Sequence, residues 1–97
     1  MTRIRIEGTD AEALRLLRTA VESKVLHIRL GIEVTQARLH AFEQRYGMPS
    51  EEFIKKSTAE DLAGGDLDYV EWAGEWKILR QLREDLRRLE AIEYADR

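Results

Sequence analysis

The stretch from Phe42 to Trp76, FEQRYGMPSEEFIKKSTAEDLAGGDLDYVEWAGEW, decides the fold. It holds the only Pro and both Trp, and it lies between two long segments of helical periodicity. Gly47 is a good left-handed terminator and Pro49 cannot continue a helix, so the first long helix is expected to stop at Tyr46. Ser50 offers an N-cap, with Glu51 and Glu52 complementing the dipole of a short helix that has Phe53 and Ile54 to bury. Thr58 to Asp61 reads as a weaker cap, Gly64-Gly65 as a break and Asp66 as the cap of the last helix. The stretch therefore reverses the chain.

Upstream of it, Thr9-Asp10-Ala11-Glu12 has the form of a capping box, with Thr9 as the cap. Apolar side chains then recur at Ala11, Leu14, Val21, Val25, Ile28, Ile32, Leu39, Phe42 and Tyr46, with Leu17 at the flank, a heptad-like stripe interrupted by Arg18 and Thr35. An unbroken helix over this span would be about 55 Å long. It is weakest near Ser23, and Gly31 in mid-helix signals either a close approach by a neighbouring helix or a bend. Before the helix, Thr2 to Glu7 alternates polar and apolar residues with a period of two, the pattern of a short strand or of a loosely ordered arm whose Ile4 and Ile6 tack onto the helices. Six residues make no sheet alone, so a strand here would need a neighbour from a second copy or another protein.

Downstream, Tyr69, Trp72, Ala73, Trp76, Leu79, Leu82, Leu86, Leu89 and Ile92 form the cleanest stripe in the chain and predict a helix from about Leu67 to Tyr94. The expected architecture is all-α: an arm over 1–8, a long helix over 10–46, a short helical connection over 50–65 and a long helix over 67–94, folded as one antiparallel helical hairpin. Such a pair leaves an apolar flank open, expected at Ile28, Ile32, Leu82 and Leu86. Two hairpins closing over that flank would give a homodimer.

Composition narrows the function. With 97 residues the chain is one domain's worth, and a monomer of this size buries a limited share of its apolar surface. The net charge of −3 is uneven, near +2 over residues 1–49 and near −5 over 50–97. That balance argues against a general nucleic-acid coat. With no Cys, disulfides and thiolate chemistry are excluded. No apolar h-region or membrane-length run is present, and a cytoplasmic location without membrane insertion is expected.

No catalytic constellation emerges. His27 and His40 stand thirteen residues apart beside the apolar stripe, without HExxH or a nearby second ligand. Ser23, Ser50 and Ser57 lack a nucleophile-elbow context. Neither an enzyme nor a cofactor is expected. The most distinctive chemistry is a run of acids, Glu60, Asp61, Asp66, Asp68, Glu71 and Glu75, uninterrupted by any base between Lys56 and Lys77. Asp68, Glu71 and Glu75 share a helix face at i, i+3 and i+7, but the EF-hand spacing is missing. Acids there complement the helix dipole, and the surplus face is suited to a basic partner. Trp72 and Trp76 read first as packing against Phe42, Tyr46 and Phe53, and as an interface anchor wherever they are exposed. Lys77, Arg80, Arg83, Arg87 and Arg88 form a ridge without interleaved aromatics, the mark of a solvated face. Arg3, Arg5 and Glu7 on the arm are the set that a ribbon-helix-helix DNA-binding protein would turn to the groove, but the turn and short second helix of that fold are absent.

Residues 31 to 94 resemble a group of small prokaryotic proteins of unassigned biochemistry. The phrases that carry the resemblance are Phe42-Glu43-Gln44-Arg45-Tyr46-Gly47-Met48, then Ser50-Glu51-Glu52-Phe53, and Asp68-Tyr69-Val70-Glu71-Trp72-Ala73-Gly74. The Ser50-Glu51-Glu52 spacing is one residue tighter than the group's phrase. Such proteins are often encoded beside a small toxin-like protein, so the resemblance implies an antitoxin-like subunit. The expected function is protein–protein interaction with a co-encoded toxin, through Asp66, Asp68, Glu71, Trp72, Glu75 and Trp76. The alternatives are a DNA-binding regulator acting through a dimeric N-terminal ribbon and a plain structural dimer.

Overall fold

The computed structural model describes residues 2–5, 10–57 and 66–95. In chain order they form β1 (Arg3–Arg5), α1 (Ala11–Tyr46), α2 (Ser50–Lys56), α3 (Leu67–Glu90) and β2 (Glu93–Ala95). The two long helices pack antiparallel as the hairpin, α2 caps its bend end, and a two-stranded ladder closes the other end.

The fold follows the apolar stripes. Leu39, Phe53, Trp72 and Leu79 form the buried cluster, with Ile32, Phe42, Tyr46, Met48, Tyr69 and Trp76 among the residues packed around it. α1 runs without a break through Ser23 and Gly31. A Cβ at Gly31 would lie 3.3 Å from Leu82 Cδ1, so the glycine marks the close approach of α3 rather than a bend. Gly47 ends α1 at φ 66° and donates its N–H to the Glu43 carbonyl, as its left-handed preference demands.

Several expectations are corrected. The cap of α1 is Asp10, whose carboxylate accepts from Ala13 N–H at 2.9 Å; Glu12 pairs with Arg15 instead of folding back, and Thr9 lies outside the described residues. Ser50 is the first residue of α2 and not its cap. Its N–H donates to Glu43 Oε2 at 2.7 Å, so a carboxylate from α1 takes one of the orphan donors of α2. The Thr58 cap, the Gly64-Gly65 break, Glu60, Asp61, Ile6 and Glu7 fall outside the described residues.

The last helix stops at Glu90, four residues before the expected Tyr94, and Glu93–Ala95 turns into a strand. β1 is thus a strand whose neighbour is the same chain: it pairs with β2 in parallel, Ile4 opposite Tyr94, with Glu93 N–H donating to Thr2 C=O at 2.7 Å. The expectation that the neighbour comes from another chain fails because the C-terminal residues return along α1. Arg18 sets its guanidinium 4.9 Å from the centre of the Tyr94 ring and Arg3 pairs with Glu93.

The proposed open flank is also corrected. Ile28 is only 4% exposed, Ile32 packs on the core cluster, Leu82 covers Gly31 and Leu86 is half-buried, so these residues form the inner seam of the hairpin. The exposed large apolar side chains of α1 are Leu16, Leu26, Leu30 and Val34. No helix among the described residues is long and apolar enough to cross a membrane.

Candidate functional site at the bend

Of the acids singled out by the sequence, Asp66, Asp68, Glu71 and Glu75 lie along the bend end of α3, where it meets α1. Asp66 caps α3, its side chain accepting from Asp68 N–H at 2.9 Å. Two residues on, within the first turn, Asp68 Oδ2 accepts from the Tyr46 hydroxyl at 2.6 Å and from Arg45 Nη1 at 2.7 Å. A further seven residues along, Glu75 Oε1 accepts from Arg38 Nη1 at 3.2 Å. The two pairs are spaced by seven on both helices, so the antiparallel register brings both into contact along one edge of the hairpin. Between them lies an open groove of about 700 Å³ lined by Ala41, Phe42, Glu71, Gly74 and Ile78 as well as the charged pairs.

The two sides of the carboxylates differ. Asp68 takes two donors, both on Oδ2: the Tyr46 hydroxyl, and after it Arg45, holds its carboxyl below the ordinary 3.8. The same bond to Asp68, reinforced by burial, pushes the Tyr46 phenol up to about 12. Glu75 takes a single donor, Arg38, on Oε1. Its side chain is 17% exposed, and its Oε2 is buried with no hydrogen-bond partner among the described residues. A buried carboxylate oxygen without a donor is costly, and a donor arriving from outside would recover that cost. Glu71 is exposed at the same groove and in no ion pair among the described residues.

The two tryptophans do not join this site. Trp72 is completely buried. It stacks face to face on Phe53 at 3.9 Å, with Phe42 and Tyr46 at 5.7 and 5.6 Å, and its Nε1–H donates to Ser50 Oγ at 2.8 Å. A side chain so enclosed shapes the bend and touches no partner. Trp76 is half-buried and faces the opposite side of the hairpin, alongside Ile54 of α2. The expected set therefore divides: Asp68, Glu71 and Glu75 share the groove, Asp66 stands at its end as a cap, Trp72 is interior and Trp76 is elsewhere. Sequence reading missed Arg38, Arg45 and Tyr46 as members of the site. The matching seven-residue spacings of Arg38–Arg45 and Asp68–Glu75 are the signal that an antiparallel hairpin would have paired them. Among the described residues no group of three metal-ligating side chains converges.

The Tyr46–Asp68 bond gives a measurable pH signature. The folded Tyr46 pKa lies above its ordinary 10, so its contribution to stability is complete below pH 10 and is lost as pH rises through about 12. Asp68 has the opposite sign: its contribution is present above pH 3.8 and is lost as pH falls through its lowered value. A tyrosinate absorbance titration of the native chain should show an ionisation near pH 12 that Tyr46→Phe removes. Persistence of that late step in the variant would place it elsewhere.

No protein-family model, curated protein or solved structure matches the chain.

Proposed function

We propose that this chain is a non-enzymatic protein–protein interaction module, the antitoxin-like partner of a co-encoded toxin, and that the groove beside Glu71 and Glu75 receives a basic side chain of that partner. The observation that carries the reading is the buried, unpartnered Oε2 of Glu75 in a groove that also exposes Glu71. An Arg is the best match, because its planar fork can donate to two carboxylates while its stem lies on Ala41, Phe42 and Ile78. Asp68 and Trp72 contribute indirectly, the first by locking α1 to α3 through Tyr46 and Arg45 and the second by filling the bend.

Reversing Asp68 or Glu75 would break internal pairs as well as any external one, so Glu71→Lys and Glu75→Gln are the cleaner probes. Purification of the tagged chain from its own host should recover a small basic protein in a stoichiometric complex. Glu71→Lys should weaken it at least tenfold by titration calorimetry with helical content unchanged. Undiminished affinity in both variants would remove the groove from the interface. The DNA-binding alternative rests on Arg3 and Arg5, and Arg3 already pairs with Glu93 across the ladder, so the groove has the stronger case.

A further inference from the structure

We infer that a second copy of this chain pairs with the free edge of β1, joining two ladders into one four-stranded sheet in the order β2-β1-β1-β2. The inference is independent of the groove and concerns the opposite end of the hairpin.

The backbone register carries it. Glu93 N–H donates to Thr2 C=O, and Ile4 stands opposite Tyr94. In a parallel ladder of this register the N–H and C=O of Ile4 both face β2, so those of Arg3 and Arg5 face the other way. Among the described residues no hydrogen bond reaches that edge. Its two outward residues flank Ile4 symmetrically, which makes the edge self-complementary. A two-fold axis at Ile4 sets Arg3 of one copy against Arg5 of the other and pairs all four N–H and all four C=O groups antiparallel. The outer edge of β2 offers only Tyr94 within the strand and has no such symmetry.

The packing beneath agrees. Ile4 and Tyr94 are on the same face of the ladder, and Arg18 of α1 lies on the Tyr94 ring, so α1 covers that face. Two strand pairs side by side are displaced by about 10 Å, twice the strand spacing, and helices pack at about 8–10 Å. The pairing thus brings the two α1 helices into contact under one sheet, antiparallel to each other. α3 ends where Glu90 pairs with Arg29, and beyond that level Leu14, Leu17, Val21 and Val25 remain half-buried. The second α1 supplies the cover that α3 is too short to give. A three-residue, two-stranded ladder is marginal by itself, and four strands over two helices is not. The opposing contact, made twice across the two-fold, is Arg3 of one copy against Arg5 of the other, which the Arg3–Glu93 pair in each copy moderates.

The chain has no Cys, so a single introduced thiol reads the pairing directly. Across the two-fold, Ile4 meets Ile4 of the second copy as a non-hydrogen-bonded pair with Cα atoms about 4.5 Å apart, within disulfide range. The full-length chain should sediment as a dimer at tens of micromolar. Ile4→Cys should convert almost completely to a disulfide-linked dimer under mild oxidation, while Gln81→Cys, exposed on α3, stays monomeric in denaturing electrophoresis. Adding Arg5→Pro to Ile4→Cys removes one outward N–H without touching the β2 side, and should cut the cross-linked fraction at least tenfold with helical circular dichroism unchanged. A wild-type monomer at that concentration overturns the proposal, as does an Ile4→Cys chain that cross-links no faster than Gln81→Cys or equally well with Arg5→Pro.

Discussion

Trp72→Ala is expected to destabilise the chain by about 3–5 kcal/mol, a large part of the total stability of a domain this size. Three losses coincide. The indole is fully enclosed, so its removal leaves a cavity that the surrounding rings of Phe42, Tyr46 and Phe53 cannot fill without leaving their stacked positions. Its N–H is the partner of the Ser50 hydroxyl, and Ser50 is itself only 1% exposed, so a buried hydroxyl is orphaned. Finally, Trp72 reaches from α3 to both α1 and α2, a bridge it shares with the more exposed Tyr69, so the bend loses its fully buried support. Urea unfolding followed by circular dichroism measures the effect. Trp72→Phe separates the parts: it retains much of the stacking and loses the hydrogen bond, and should cost clearly less. A loss below about 1 kcal/mol for Trp72→Ala would mean that the bend is not held by this residue.

Phe53→Ala is expected to cost about 3–5 kcal/mol, but with a different distribution. α2 has seven residues, too few to remain helical in water by themselves. Its helicity depends on docking, and Phe53, 5% exposed and stacked on Trp72, is its main anchor. Once the ring is gone, α2 should unfold locally while α1 and α3 stay paired through Leu39, Leu79, Ile28 and the two charged pairs. Amide hydrogen exchange distinguishes this from global loss. The Ser57 N–H, which donates to the Phe53 carbonyl, should lose its protection, and the amides around Leu39 and Leu79 should keep most of theirs. Uniform loss across all three helices would show that α2 is part of the cooperative core and not a docked cap.

The contrast between the two variants follows from what was legible in the residues. The aromatic end of the hairpin was readable because Phe42, Tyr46, Phe53, Tyr69 and Trp72 fall on apolar stripes that an antiparallel turn must superimpose. The candidate site was readable only in part. Asp68, Glu71 and Glu75 were found as one helix face, but the neutralisation of Asp68 by Tyr46 and Arg45 and the half-satisfied state of Glu75 depend on the register of α1 against α3. No local signal reports which oxygen of a carboxylate is left without a donor.

The sequence by itself determined the two long helices, the bend between them and the caps at Gly47 and Asp66. These depend on interactions within a few residues: the 3.6-residue period, the left-handed preference of glycine, the missing N–H of proline and the reach of an Asp side chain to the next turn. Only the tertiary structure decided that Ser50 serves Trp72 rather than capping α2, that Ile28 faces inward while Leu26, Leu30 and Val34 face out, and that the chain leaves the helix after Glu90 to pair with β1. The apolar period continues through Ile92, so nothing local ends the helix there. The ladder joins residues 90 apart in the chain, and it is that long-range hydrogen bonding which sets where α3 stops.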